Sequence, residues 1–136
     1  MPQRLAIHQR RRELKFLCLG YFDRQKMDAL SKVQIDAVMG ECAPHISELY
    51  GSGQVIIDAG LDVTARRLQR VDGQLQVGDG PLAHAQEMIG CTLLVEADNI
   101  EDAVRIAALH PTTRISAGEQ LGWRMEVRPI HHFETP

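Results

Sequence analysis

Leu14-Lys15-Phe16-Leu17-Cys18-Leu19-Gly20-Tyr21 carries apolar groups on both alternating sets, which predicts an interior strand covered on two sides. Phe22 to Lys26 reads as a polar connection. A helix is expected to start near Asp28 or Ser31, where Ser31 and Gln34 have the spacing of a capping box. Its stripe is expected to run through Leu30, Val33, Val38, Cys42, Ile46 and Leu49, leaving Lys32, Asp36, Glu41 and Glu48 to wetter faces. Pro44 interrupts that pattern and predicts a kink or two abutting helices.

Past Gly51-Ser52-Gly53, the short apolar run Val55-Ile56-Ile57 leads into a strand over Val63 to Val71. Asp72-Gly73 is the strongest turn signal, and it predicts a type I′ hairpin that pairs Val71 with Gln74 and Leu68 with Val77. Asp79-Gly80-Pro81-Leu82 forms a rigid turn next, followed by a single helical turn over Ala83 to Met88 and a strand over Gly90 to Val95. Asp98 or Asn99 caps a helix whose buried side is Ile100, Ala103, Val104 and Ala107, and Pro111 stops it near His110. Thr112 to Gly122 reads as a flexible loop. Trp123, Met125 and Val127 then face inward along a last strand, with Arg124, Glu126 and Arg128 facing the other way and His131 to Pro136 forming a tail.

The order of strand, long helix, hairpin, strand, helix and strand implies an α+β fold, a ferredoxin-like α/β sandwich with two helices on one face of the sheet. The other face has no element of its own to cover it. Sheet packing in a homodimer is the expected solution, with a pocket between sheet and partner. A chain of 136 residues suits one domain, here residues 14–133, between a polar basic arm at residues 1–13 and a tail at residues 134–136.

Charge and cysteine content narrow the chemistry. A net charge of −3 gives no general attraction for nucleic acid, so Arg10-Arg11-Arg12 reads first as a solvated arm and second as a phosphate or acidic-partner site. Cys18, Cys42 and Cys91 lie far apart without a CxxC pair, which argues against a disulfide scaffold, a zinc site or a redox centre. His131-His132 lack a third ligand at supporting spacing, and no cofactor or metal is assigned. No apolar run approaches the length of a membrane span, and the expected location is the cytoplasm.

The Asp72-Gly73 hairpin, Asp79-Gly80-Pro81-Leu82, the Gly90 to Glu96 strand, the Ile100 to Leu109 helix and the closing Glu126-Val127-Arg128-Pro129-Ile130 together resemble the YciI-like family. The nearest branch is the one named after an Asp-Gly-Pro-Phe motif, and Leu82 stands where that branch has Phe. The likeness spans about Leu14 to Phe133. It implies a ferredoxin-like dimer with a cleft near the Asp-Gly-Pro turn, which makes Gly80 and Pro81 candidate substrate contacts. A related branch contains a lyase-like dehydrochlorinase, and proposals for the family centre on a histidine and an aspartate.

On that basis Asp79 and His110 are the candidate catalytic pair, with the histidine taking a proton beside a carbonyl and the aspartate fixing its tautomer. Arg128 would hold a substrate carboxylate. Each also has a structural reading: Asp79 as acceptor for turn N–H groups, His110 as a C-cap donor to a free carbonyl. Three functions follow: a small acid-base lyase or isomerase acting on an anionic carboxylate metabolite, a cofactor-free ligand-binding or regulatory dimer, and, weakest, a nucleic-acid-associated protein.

Overall fold

The structure is a computed structural model that describes residues 14–82 and 86–136. Six strands and five helices follow in the order β1 (Leu14–Asp23), α1 (Arg24–Asp28), α2 (Lys32–Gly51), β2 (Val55–Gly60), β3 (Arg66–Val71), β4 (Gln74–Asp79), β5 (Glu87–Ala97), α3 (Ile100–Ala107), α4 (Pro111–Arg114), α5 (Ser116–Gln120) and β6 (Arg124–Pro129) among the described residues. Four strands form an antiparallel sheet in the order β2-β5-β1-β6, and β3-β4 is a separate two-stranded ribbon. The mixed architecture agrees with the α+β class expected from the pattern. The Arg10 to Arg12 arm and residues 83–85 of the helical turn expected over Ala83 to Met88 fall outside the described residues, while Glu87 and Met88 belong to β5 instead.

One face of the sheet holds the core. Phe16 and Cys18 of β1 and Leu93 and Val95 of β5 are buried together with Leu49, and Met125 and Val127 of β6 pack against them. From α3 come Ala103, Ile106 and Ala107. Fully burying side chains such as Leu49, Leu93 and Ile106 stabilises by about 1.5–3 kcal/mol each. The expected buried side of α3 is therefore rotated: Ile100 and Val104 are exposed, and Ile106 replaces them. The buried stripe of the helix is Ala103, Ile106 and Ala107, two of whose three side chains are methyl groups.

Helix α2 starts as its sequence dictates. Ser31 accepts from the Gln34 N–H, and the Gln34 side chain accepts from the Ser31 N–H, completing the capping box. The helix runs unbroken from Lys32 to Gly51 with Pro44 inside it, in place of the two helices considered from the sequence. Pro44 is exposed, so water can serve the Gly40 carbonyl that loses its i+4 donor. The inward stripe also shifts. Val33 is 78% exposed, and Ile35 and Met39 join Cys42 and Ile46 on the face turned to the sheet. Only the C-terminal end docks deeply, through Leu49.

The hairpin register matches expectation, with Val71 opposite Gln74 and Leu68 opposite Val77. Asp72 and Gly73 both have positive φ, as a type I′ turn requires. Strand β3 begins at Arg66 rather than at Val63. The segment from Thr112 to Gly122, expected to be a loop, instead forms α4 and α5, and Ile115 and Leu121 are buried there. Their hydrophobic anchors are too few and too widely spaced to announce a helix by periodicity.

Candidate functional site

Helix α2 stands off the upper end of the sheet, and a cavity of about 620 Å³ lies between them. Its roof is the Ile35, Met39, Cys42 and Ile46 stripe, and its floor includes Gly20 of β1, Asp58 and Gly60 of β2 and Cys91 of β5. Strand alternation places these floor residues on the face that carries Cys18 and Leu93. His110 and Thr112 close one side.

His110 is 8% exposed and caps α4. The Thr112 backbone N–H donates to His110 Nδ1 at 3.1 Å, and Thr112 Oγ1 lies 2.7 Å from the same nitrogen. A backbone amide can only donate, so the Nδ1 lone pair is occupied and the neutral ring carries its proton on Nε2. Nε2 faces the Cys91 sulfur at 3.9 Å. Burial lowers the His110 pKa from its ordinary value, and the negative charge of Asp58 offsets only part of that. The imidazole is thus a neutral hydrogen-bond donor at neutral pH. The expected C-cap role is reversed, since the ring accepts from the start of a helix instead of donating to the end of one.

Cys91 stands directly across the ladder from Gly20. A Cβ on Gly20 would collide with the Cys91 sulfur, so glycine at this position makes room for the thiol. Burial raises the Cys91 pKa, with Asp58 adding to the effect and hydrogen bonds from Thr112 and the Gly20 N–H opposing it. The thiol is therefore protonated at neutral pH, which disfavours it as a nucleophile. Asp58 accepts a hydrogen bond from the Tyr50 hydroxyl, and this bond is the leading cause of the raised Tyr50 pKa. No salt bridge engages Asp58 among the described residues.

Of the sequence candidates, only His110 lines this cavity. Asp79 ends β4, where its carboxylate pairs with Arg66 at 2.9 Å and its side chain is 91% exposed. Gly80 has φ +92 and donates its N–H to the Ala65 carbonyl at 2.8 Å, so the turn is closed by backbone rather than by the Asp79 carboxylate. Pro81 and Leu82 line a second cavity of about 530 Å³, and Tyr21 and Leu61 border both cavities. Arg128 is exposed on β6, and alternation sets it on the face opposite Val127 and the core. The chain thus brings His110 together with Asp58, Cys91 and Thr112.

Asp58 was readable in principle, because a carboxylate closing the apolar run Val55-Ile56-Ile57 calls for a reason. Thr112 gave no local signal. Among the described residues, no group of three or more His, Cys, Asp or Glu side chains is placed to hold a metal ion. No described helix is long and apolar enough to cross a membrane.

Residues 14–128 match the family described as the YCII-related domain. No curated protein matches the chain.

Proposed function

Because the chain belongs to the YCII-related domain family, we propose that it is a small acid-base lyase or isomerase whose site is the cavity beneath α2. The observation that carries this reading is the fixed Nε2–H tautomer of buried His110, facing a cavity that also holds the Asp58 carboxylate. In this mechanism Asp58 takes a proton from the carbon next to a substrate carbonyl. His110 Nε2–H donates to the carbonyl oxygen as negative charge develops there. Asp58 then returns the proton to a different carbon in an isomerisation, or a leaving group departs from the β-carbon in an elimination. His110 is therefore the electrophile and not the base. Asp79, Gly80 and Arg128 take no part in the cavity chemistry, while Pro81 borders the adjoining cavity through which substrate could enter.

Proton exchange tests the assignment. Small ketones incubated with the protein in D₂O should gain deuterium at the α-carbon, followed by NMR. Asp58→Asn should slow this by about 100-fold or more, and an unchanged rate in that variant would sink the mechanism. A second reading, ligand binding without turnover, is favoured by the apolar roof of α2 and by the protonated state of the Cys91 thiol, whose pKa burial raises. It is the outcome if ligands bind and no exchange occurs.

The same proposal takes the fold as the ferredoxin-like sandwich, supported by the strand order β2-β5-β1-β6 with α3 on one face. It takes the working unit as a homodimer joined across the other face, where alternation sets Leu17, Leu19 and Ile57. Ile57 is 54% exposed in the single chain. Sedimentation at micromolar concentration checks this, and a monomer would overturn it. Three free thiols suit a reducing cytoplasmic setting.

A further inference from the structure

We propose that the cavity beneath α2 selects a small organic cation, an amine or quaternary ammonium group carried on an apolar body, over a neutral or anionic ligand of the same size. The proposal rests on the acid-base reading for its location alone, and it adds the class of molecule that the site takes.

Charge is the first observation. Two carboxylates line the cavity, Asp58 on the floor and Asp28 at the rim, and no lysine or arginine among the described residues does so. Neither carboxylate is in a salt bridge among the described residues. The negative charge of Asp58 is felt at both His110 and Cys91, whose pKa values it pushes upward. An anion entering here would meet that field without a balancing cation among the described residues, and a low-dielectric wall strengthens the repulsion.

Ring chemistry is the second observation and is independent of the first. Tyr21, Phe22 and Trp123 all line the cavity. Aromatic faces attract cations through their quadrupole, most strongly for tryptophan and for alkylated ammonium groups that shed water easily. The remaining wall is aliphatic and sulfur-containing, including Ile35, Met39 and Cys42, and suits an apolar body. A volume of about 620 Å³ is in the range of small-molecule sites. His110 supplies the third observation: a side chain more than nine-tenths buried, whose Nε2 among the described residues meets only the Cys91 sulfur at 3.9 Å, leaves a donor directed at whatever oxygen the ligand carries.

Trp123 is the single tryptophan of the chain, so its fluorescence reports the cavity directly. Titration of the full-length protein with 3-phenylpropylammonium, 3-phenylpropanol and 3-phenylpropanoate compares three probes that differ chiefly in charge. The expected order is ammonium, alcohol, carboxylate, with about a tenfold step in Kd at each stage, corresponding to roughly 1.4 kcal/mol. In Asp28→Asn/Asp58→Asn the ammonium preference should collapse while the alcohol binds as before. Tyr50→Phe, which keeps the Asp58 charge, should retain the preference. Added salt should weaken the ammonium and leave the alcohol unchanged. The proposal is overturned if the carboxylate binds as tightly as the ammonium, if the preference survives in the double variant, or if none of the three probes binds at millimolar concentration. Its failure is distinct from failure of the acid-base reading. Deuterium exchange with no ammonium preference removes the charge selectivity alone, whereas ammonium preference with no exchange removes the enzyme and leaves the binding site.

Discussion

A methyl group added at Gly20 would occupy the space that the Cys91 sulfur holds. Gly20→Ala is expected to destabilise the fold by about 1–3 kcal/mol through overpacking, read from urea midpoints, and Cys91→Ala in the same chain should recover most of that loss. Non-recovery would show that the glycine is needed for backbone reasons. His110 makes a second residue-scale expectation. Its folded pKa lies below the ordinary value of 6.5, so the unfolded chain binds the proton more readily. Stability attributable to this group is complete above about pH 6.5 and falls as pH drops through the folded pKa. NMR titration should give a histidine pKa below 6.5 and the Nε2–H tautomer in the neutral form. A ring that protonates at or above 6.5 would contradict the Thr112 clamp.

At the scale of elements, the Asp79-Gly80-Pro81 turn separates two roles that the sequence alone could not. The Arg66–Asp79 pair has side chains 65% and 91% exposed, and such exposed pairs contribute little. Asp79→Ala should therefore shift stability by no more than about 0.5 kcal/mol. Gly80→Ala should cost about 1 kcal/mol or more, because φ +92 strains any residue with a Cβ. Thermal unfolding of the pair of variants decides it, and the reverse ranking would return Asp79 to a structural or catalytic part. Elements with strong local signals were legible: the Ser31 capping box, the Asp72-Gly73 turn and its register, the Asn99 cap and the inward Met125 and Val127 of β6. What was not legible depends on distant partners. The rotation of α3 toward Ile106 is set by which sheet residues receive it, and the Val33-to-Ile35 change on α2 follows from a helix that roofs a cavity instead of packing down. The site was half legible for the same reason. His110 advertised its chemistry, but only the β2-β5-β1 register puts Asp58, Cys91 and Gly20 beside it.

For the molecule as a whole, the chain leaves β2 after Gly60 and rejoins the sheet at Glu87, where β5 begins alongside β1. The Leu61 N–H donates to the Gly90 carbonyl at 2.8 Å, and Gly60 pairs with Cys91. The β3-β4 ribbon pairs with no strand of the main sheet, and Leu68, Leu75 and Val77 are exposed on it. Isolated two-stranded ribbons are marginal in water, so native-state hydrogen exchange should find β3 and β4 far less protected than β1 and β5. Equal protection would mean that another surface holds the ribbon down. The close approach of β2 and β5 makes the stretch from 62 to 86 a detour in the chain's path, one that can be cut short or exchanged for another sequence without rethreading the sheet. A short linker joining Leu61 to Glu87 should keep the sheet and, apart from Val63, the wall of the Trp123-lined cavity, and should strip Asp62, Thr64, Ala65, Pro81 and Leu82 from the smaller one. Such a neck gives the fold a place where new loops can be tried while the chemistry around His110 stays in place.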